Sequence, residues 1–135
     1  PKVRLSTDEQ TVLNLTNAAR AKKKLPPLTA NAALCGIARA YAADVARRDK
    51  LGDARDIKTL NQRLHASDYR PEQGTYSTGY EPTPNALAMV ARWMASPGDR
   101  KNILNERFQD AGIGIARSAT GTVYYIQFLA RPRQP

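Results

Sequence analysis

The chain has 135 residues, of which 41% are hydrophobic and 24% are charged, proportions that indicate a folded domain and exclude a disordered or low-complexity segment. Its 21 lysines and arginines outnumber 12 aspartates and glutamates, and the net charge of +9 favours encounters with polyanions. No apolar run approaches the roughly 20 residues that span a bilayer, so we expect no transmembrane segment and one domain over residues 1–135.

Two amphipathic helices are predicted in the N-terminal part of the chain. Ser6 followed by Glu9 forms a capping box, which starts the first helix, and Leu25–Pro27 ends it. Asn31 is a good cap for a second helix, and Gly52 can supply the positive φ that ends that helix. The second helix carries an apolar stripe at helical spacing, made of Leu34, Ile37, Ala38, Tyr41 and Val45.

Between residues 53 and 82 the hydrophobic pattern weakens. We expect a short helix capped by Thr59, and loops elsewhere, because the remainder is rich in Gly, Ser, Thr, Asp and Pro. This segment also contains Tyr69, Tyr76 and Tyr80. Their rings and hydroxyl groups suit contacts with a sugar or peptide, or else ordinary loop packing.

A third long helix and a short fourth helix are predicted next. Thr83 followed by Pro84 is typical of a helix start, and Pro97 ends the apolar stripe that follows. Asp99 is expected to cap the fourth helix, which runs through Leu104.

The end of the chain changes to a period of two. Ile113 and Ile115 alternate with glycines, Gly121 marks a turn, and residues 123–129 are rich in β-branched and aromatic side chains. These features predict an antiparallel hairpin. Its closing strand is apolar on both faces except at Gln127, so we expect an α+β architecture in which helices cover a small antiparallel sheet on both sides.

Several of these residues follow one known pattern. The most specific part is the run SPGDRKNILN at residues 96–105, which is followed by GIG at residues 112–114. The first helix and the last strand add Leu15, Asn17, Arg20, Ala21, Tyr124, Tyr125 and Gln127. The chain resembles the bacterial branch of the CAP superfamily, the SCP-like extracellular domain, over residues 7–129. The resemblance implies a three-layer α/β/α sandwich, usually secreted, with an open cavity beside the sheet.

The resemblance also implies a cavity lined by two histidines and one or two glutamates, which hold a divalent metal in some members. Asp53 stands here at the first histidine position and Asp99 at the second. Thr75 follows Gly74 where a glutamate is typical, and no glutamate follows Trp93 within a few residues. Imidazole is the common zinc ligand and proton carrier near neutral pH, so we expect no metal and no cofactor. The predicted cavity residues are Asp53, Thr75, Tyr76, Ser77 and Asp99.

Asp53 and Asp99 are expected to face each other if the family geometry holds. Two bare carboxylates about 4 Å apart would repel by about 4 kcal/mol at an effective dielectric of about 20. A shared proton, a nearby arginine or lysine, or a hard cation such as Ca²⁺ or Mg²⁺ would each relieve that repulsion. In the fourth interpretation Asp99 caps the helix that starts at Arg100, and Asp53 caps a turn.

Cysteine and histidine each occur once in the chain. Cys35 has no partner for an intramolecular disulfide, and we expect it to be a buried small hydrophobe. His65 falls in the short weak helix and at none of the cavity positions, so we expect it at the surface.

We therefore expect a non-catalytic binding module, secreted or facing the cell envelope, that recognises an anionic cell-wall glycan, peptide or lipid. The alternative is an Asp-based or cation-dependent hydrolase that uses the same cavity. No nucleic-acid recognition motif is present, and charge alone gives only non-specific affinity. We expect a monomer, and the start at Pro1 without a methionine predicts a processed or truncated product that lacks its signal segment.

Overall fold

A four-stranded sheet lies between two layers of helices in the computed structural model, which describes residues 3–134. The strands are β1 (Thr29–Ala30), β2 (Pro71–Glu81), β3 (Asp110–Arg117) and β4 (Val123–Pro132). The helices are α1 (Thr7–Lys22), α2 (Ala32–Arg48), α3 (Ala54–Ala66), α4 (Ala86–Ala95) and α5 (Pro97–Ile103). The strand order is β1-β3-β4-β2, in which β1 runs parallel to β3 and the other neighbours are antiparallel. The predicted three-layer α+β class is confirmed.

One face of the sheet is covered by α2, which lies directly on β3. A Cβ atom at Gly112 or Gly114 would overlap the α2 backbone at Leu34 or Ala38, so this close approach requires glycine at both positions. Helix α3 packs beside α2 and completes the layer. The core of this face contains Ile37, Ala38, Tyr41, Val45, Leu60, Tyr124, Ile126 and Phe128.

The opposite face is covered by α1, α4 and α5. Gln127, the polar exception in the closing strand, points into this layer and is fully buried. Its hydrogen-bonding groups have a partner there, the Thr16 hydroxyl of α1. The Gln127 Nε2 donates to this hydroxyl at 3.1 Å, and the hydroxyl donates to the Gln127 Oε1 at 3.2 Å. The core of this face contains Val12, Met89, Val90, Trp93, Ile103, Phe108, Ile113, Tyr125 and Leu129.

Arg20 of α1 is also fully buried, and its guanidinium is surrounded by backbone carbonyl groups. Its Nε donates to the Pro26 oxygen at 2.9 Å. Its Nη1 donates to Ile103 and Asn105 at 2.9 Å each, and its Nη2 donates to Phe108 at 3.3 Å. These bonds tie the end of α1 to the segment that connects α5 with β3.

The predicted caps of the two long N-terminal helices are confirmed. The Ser6 hydroxyl accepts from the Glu9 backbone at 3.1 Å, and the Glu9 carboxylate accepts from the Ser6 backbone at 2.8 Å. The Asn31 side chain accepts from the Leu34 backbone at 3.0 Å. The C-terminal hairpin also forms as predicted, with the whole of β3 paired to residues 123–130 of β4.

The end of α2 and the start of α3 differ from the prediction. Helix α2 ends at Arg48, and Asp49, which follows it, adopts the left-handed conformation with a φ of 54°. Gly52 has the predicted positive φ, at 83°, but it lies farther along, in the loop before α3, and does not end α2. Helix α3 begins earlier than expected because the Asp53 side chain caps it, and Thr59 therefore lies inside the helix.

Later boundaries also differ. The segment predicted as loop contains strand β2, which pairs with β4 along its length, a long-range contact that local composition does not encode. The cap of α4 is Asn85 and not Thr83, because the Asn85 side chain accepts from the Ala88 backbone at 3.0 Å. Helix α5 begins at Pro97, so Asp99 lies inside its first turn and is not its cap.

Candidate functional site

Two of the predicted cavity residues are in direct contact. The Ser77 hydroxyl of β2 donates to the Asp99 carboxylate of α5 at 2.9 Å. Ser77 is buried, whereas Asp99 is half-buried. The pair connects the edge strand of the sheet to the helix layer formed by α1, α4 and α5, and it occupies one Asp99 oxygen with a protein donor.

Asp53 lies in the other layer and is held by arginines. Its carboxylate caps α3 through the Arg55 backbone at 2.9 Å. The Arg55 guanidinium also binds both oxygens, with Nε–Oδ1 at 3.0 Å and Nη2–Oδ2 at 2.9 Å, and Arg48 lies 4.0 Å away. The hydrogen bonds from Arg55 and the charges of Arg55 and Arg48 hold the pKa of the Asp53 carboxyl well below its usual range.

The expected facing pair of aspartates is not among the contacts of residues 3–134, since Asp53 and Asp99 have separate partners in separate layers. Of the groups proposed to balance the two charges, an arginine is the one found at Asp53. Asp53 is also a cap, but of helix α3 and not of a turn. Within the same described residues, no group of three or more His, Cys, Asp or Glu side chains is arranged to hold a metal ion. The donor set therefore does not fit the divalent metal that the resemblance implies for some members.

Thr75 and Tyr76 line a cavity of about 280 Å³ between β2, β4 and α3, and neither Asp53 nor Asp99 is among its lining residues. The Tyr76 ring packs edge-on to Tyr41 at 5.9 Å and tilted to Phe128 at 5.3 Å. Burial is the main cause that raises the pKa of Tyr41 to about 12, so the Tyr41 hydroxyl stays neutral. The cavity walls are mostly apolar and include Leu34, Leu60, Leu64, Phe128, Leu129 and Ala130.

The other residues singled out in the sequence are Cys35, His65, Tyr69 and Tyr80. Cys35 is fully buried, and burial raises the pKa of its thiol. His65 is exposed on α3, as predicted. Tyr69 is buried, and its hydroxyl donates to the Asp110 carboxylate at 2.8 Å. Tyr80 is exposed at the end of β2.

Two surface hollows are not predicted from the sequence, because each joins residues from several elements. The first, of about 290 Å³, is lined by Lys22 and Lys23 at the end of α1 and by Arg100 of α5. The sequence shows these cations as separate short groups, and only the packing of the helices brings them together. The second, of about 560 Å³, lies between the end of α2, the end of β2 and the β3–β4 turn, and includes Asp49 and Tyr80.

Comparisons with known proteins place these features in a family. A family model described as the cysteine-rich secretory protein family, CAP, matches residues 13–128. The uncharacterized protein YkwD of Bacillus subtilis (strain 168) is 32% identical over 132 residues, which covers 94% of this chain and 49% of YkwD. The chain therefore spans about half the length of this curated relative.

Solved structures share the fold. An extracellular protein of Bacillus anthracis that contains a SCP domain aligns with a TM-score of 0.80 and 23% identity, over 96% of this chain and 45% of that one. An outer surface protein of Borrelia burgdorferi aligns with a TM-score of 0.84 and 16% identity, over 98% of each chain. At these identities the likeness shows a common fold and nothing about ligands.

Proposed function

This chain belongs to the bacterial branch of the CAP family, the cysteine-rich secretory proteins, and from that premise we propose that it is a non-catalytic binding module, secreted or at the cell envelope. One structural neighbour is an extracellular protein and another is an outer surface protein, which supports a place outside the cytoplasm. The ligand we propose is an anionic component of the envelope, either a glycan or a lipid surface.

The contacts of the two aspartates support the absence of catalysis at these positions. An Asp-based hydrolase needs a carboxylate that can take or give a proton near neutral pH. Asp53 is instead an ionised partner of Arg55, with a pKa held far below neutrality, and such a carboxylate is a weak base. One oxygen of Asp99 already accepts a hydrogen bond from Ser77, which is too buried to serve as an accessible nucleophile.

The basic hollow is the observation that carries the binding proposal. Lys22, Lys23 and Arg100 are exposed around it, over a floor made by Ala19, Met94 and Leu104. Within residues 3–134 none of the three cations forms an ion pair with an acidic side chain, whereas many other arginines do. Their charge is therefore available to an anionic ligand, and the apolar floor suits the body of a lipid or a sugar ring.

Binding to surfaces of known charge tests this proposal. We expect sedimentation with vesicles of anionic phospholipid, or with a purified anionic wall polymer, and no sedimentation with zwitterionic vesicles. Binding should weaken steeply as salt is raised, because the Debye length falls from about 10 Å at 0.1 M to about 3 Å at 1 M. The double variant Lys22→Ala/Lys23→Ala should bind at least about tenfold more weakly, since each lysine near an anionic surface contributes about 1 kcal/mol.

A matched control separates the hollow from the total charge. Lys58 on α3 and Arg133 after β4 are exposed and lie outside the hollow, so the variant Lys58→Ala/Arg133→Ala also loses two positive charges but leaves the hollow unchanged. It should keep most of the affinity. Equal losses of affinity in the two double variants would show that total charge, and not the hollow, determines binding. No binding to any anionic surface at low salt would contradict the proposed binding function itself.

A further inference from the structure

The second hollow lies in the other helix layer from the basic hollow and has a different chemical character. Its wall is formed by the residues that end α2, by the end of β2 and by the start of β4. Its volume of about 560 Å³ is in the range of small-molecule sites. The lining residues are Asp49, Lys50, Leu51, Tyr80, Thr122 and Tyr124.

Tyr80 gives this hollow an exposed aromatic surface. The residue is 54% exposed, although large aromatic side chains normally gain stability by burial. Its ring lies 6.0 Å from that of Tyr124 and is tilted by 51° to it, so a buried neighbour supports one side of the ring. The remaining ring surface is open to a ligand.

Asp49 supplies a fixed carboxylate in the same hollow. Its backbone is left-handed, with a φ of 54°, and it follows the last residue of α2, where the helix dipole disfavours negative charge. The Tyr124 hydroxyl nevertheless donates to Oδ1 at 2.7 Å, and the Thr120 hydroxyl donates to Oδ2. These hydrogen bonds, from Thr120 and then Tyr124, keep the pKa of Asp49 below its usual value. An ionised carboxylate has about four acceptor positions, so positions remain for ligand hydroxyl groups.

We propose that this hollow is a saccharide-binding site, in which the Tyr80 ring packs against the C–H face of a pyranose and Asp49 accepts hydrogen bonds from sugar hydroxyl groups. Lys50 and Thr122 add donors beside the carboxylate, and Leu51 adds an apolar contact. The Asp49 charge opposes a phosphate, and the density of polar groups opposes a purely apolar ligand. A sugar ring has both the apolar face and the hydroxyl rim that this arrangement matches.

Titration of the intact chain with chitotriose and with cellotriose, followed by NMR chemical-shift changes, tests the site. We expect saturable binding of at least one trisaccharide, with a Kd on the order of 1 mM. Tyr80→Ala should weaken binding by at least about tenfold, or about 1.4 kcal/mol, whereas Tyr80→Phe keeps the ring and should keep most of the affinity. Leu87→Ala removes an exposed hydrophobic side chain of α4, 65% exposed, and should leave binding unchanged.

The carboxylate is tested separately with residues that tolerate a left-handed backbone. Asp49→Asn keeps the size of the side chain, and Asp49→Gly fits the positive φ without strain, so both variants should fold. Both should bind more weakly than the parent chain. The proposal is overturned if neither trisaccharide shows saturable shifts, or if Tyr80→Ala binds with the parent Kd. Either result leaves the proposed role of the basic hollow intact, because that role is measured with anionic surfaces and the lysine variants.

Discussion

The buried guanidinium of Arg20 permits a quantitative prediction about stability. It donates to backbone carbonyls and not to a carboxylate, so its replacement leaves polar acceptors without donors. The bonds to Ile103 and Phe108 are themselves buried. Each buried acceptor left unpaired costs about 1 to 3 kcal/mol, so these two alone give about 2 to 6 kcal/mol. We expect Arg20→Met to lower the free energy of unfolding by about 4 kcal/mol.

This loss would be a large fraction of the roughly 5 to 15 kcal/mol that holds a typical domain together. Urea denaturation followed by the fluorescence of Trp93, the only tryptophan and a buried one, measures it. Arg20→Lys should be intermediate, because an ammonium group keeps the charge but cannot reproduce the planar fork of donors. Arg117→Met, at an exposed arginine, should change the free energy of unfolding by less than about 0.5 kcal/mol.

A small effect of Arg20→Met would refute this reasoning. Replacement of a buried charge by an apolar side chain also removes a desolvation cost, and in some proteins that exchange is neutral or stabilising. If the free energy of unfolding of Arg20→Met lies within about 1 kcal/mol of that of the parent chain, the desolvation cost removed with the guanidinium equals the free energy lost with its hydrogen bonds. The carbonyl cluster would then not be a major source of stability.

Three further predictions concern packing, reactivity and pH. Gly114→Ala should destabilise the chain by at least about 2 kcal/mol in thermal melts, because a Cβ would overlap the α2 backbone, whereas Gly98→Ala has open space and should be neutral or slightly stabilising. The Cys35 thiol should react with a thiol reagent only at the rate of unfolding, because it is fully buried and burial raises its pKa; rapid labelling of the native chain would contradict this. Burial acts to raise the pKa of Asp44, but ion pairs led by Arg63 outweigh it and lower the pKa. The ion pairs of Asp44 therefore stabilise the fold fully above about pH 4, and this stabilisation is lost as the pH falls further. At pH 7 Asp44→Asn should have a lower free energy of unfolding than the parent chain, and the difference should shrink below about pH 3.

Much of the fold is encoded locally and could be predicted. The capping box at Ser6 and Glu9 and the cap at Asn31 each depend on a side chain and a backbone amide three positions apart, so the sequence reveals them. The C-terminal hairpin shows its period of two directly. Strand β2 does not, because its stability comes from pairing with β4, about 50 positions later in the chain.

The candidate site shows the same division. One interpretation open from sequence is that Asp53 caps a turn; it caps helix α3 instead, through Arg55, which is only two positions away. The Ser77–Asp99 contact depends on where α5 lies against β2, which no local pattern specifies. The hollow at Asp49 and Tyr80 is assembled from three separate parts of the chain, so neither residue stands out before the fold is known.

The most direct measurement monitors retention and turnover in one sample. The chain is mixed with an anionic wall polymer and added divalent ions, and both the bound fraction and any soluble cleavage products are quantified over time. We predict a bound fraction that falls as salt is added, with no product above the level without protein. Release of product that disappears in the variant Asp53→Asn/Asp99→Asn, while folding is unchanged, would contradict a non-catalytic role and favour the hydrolase.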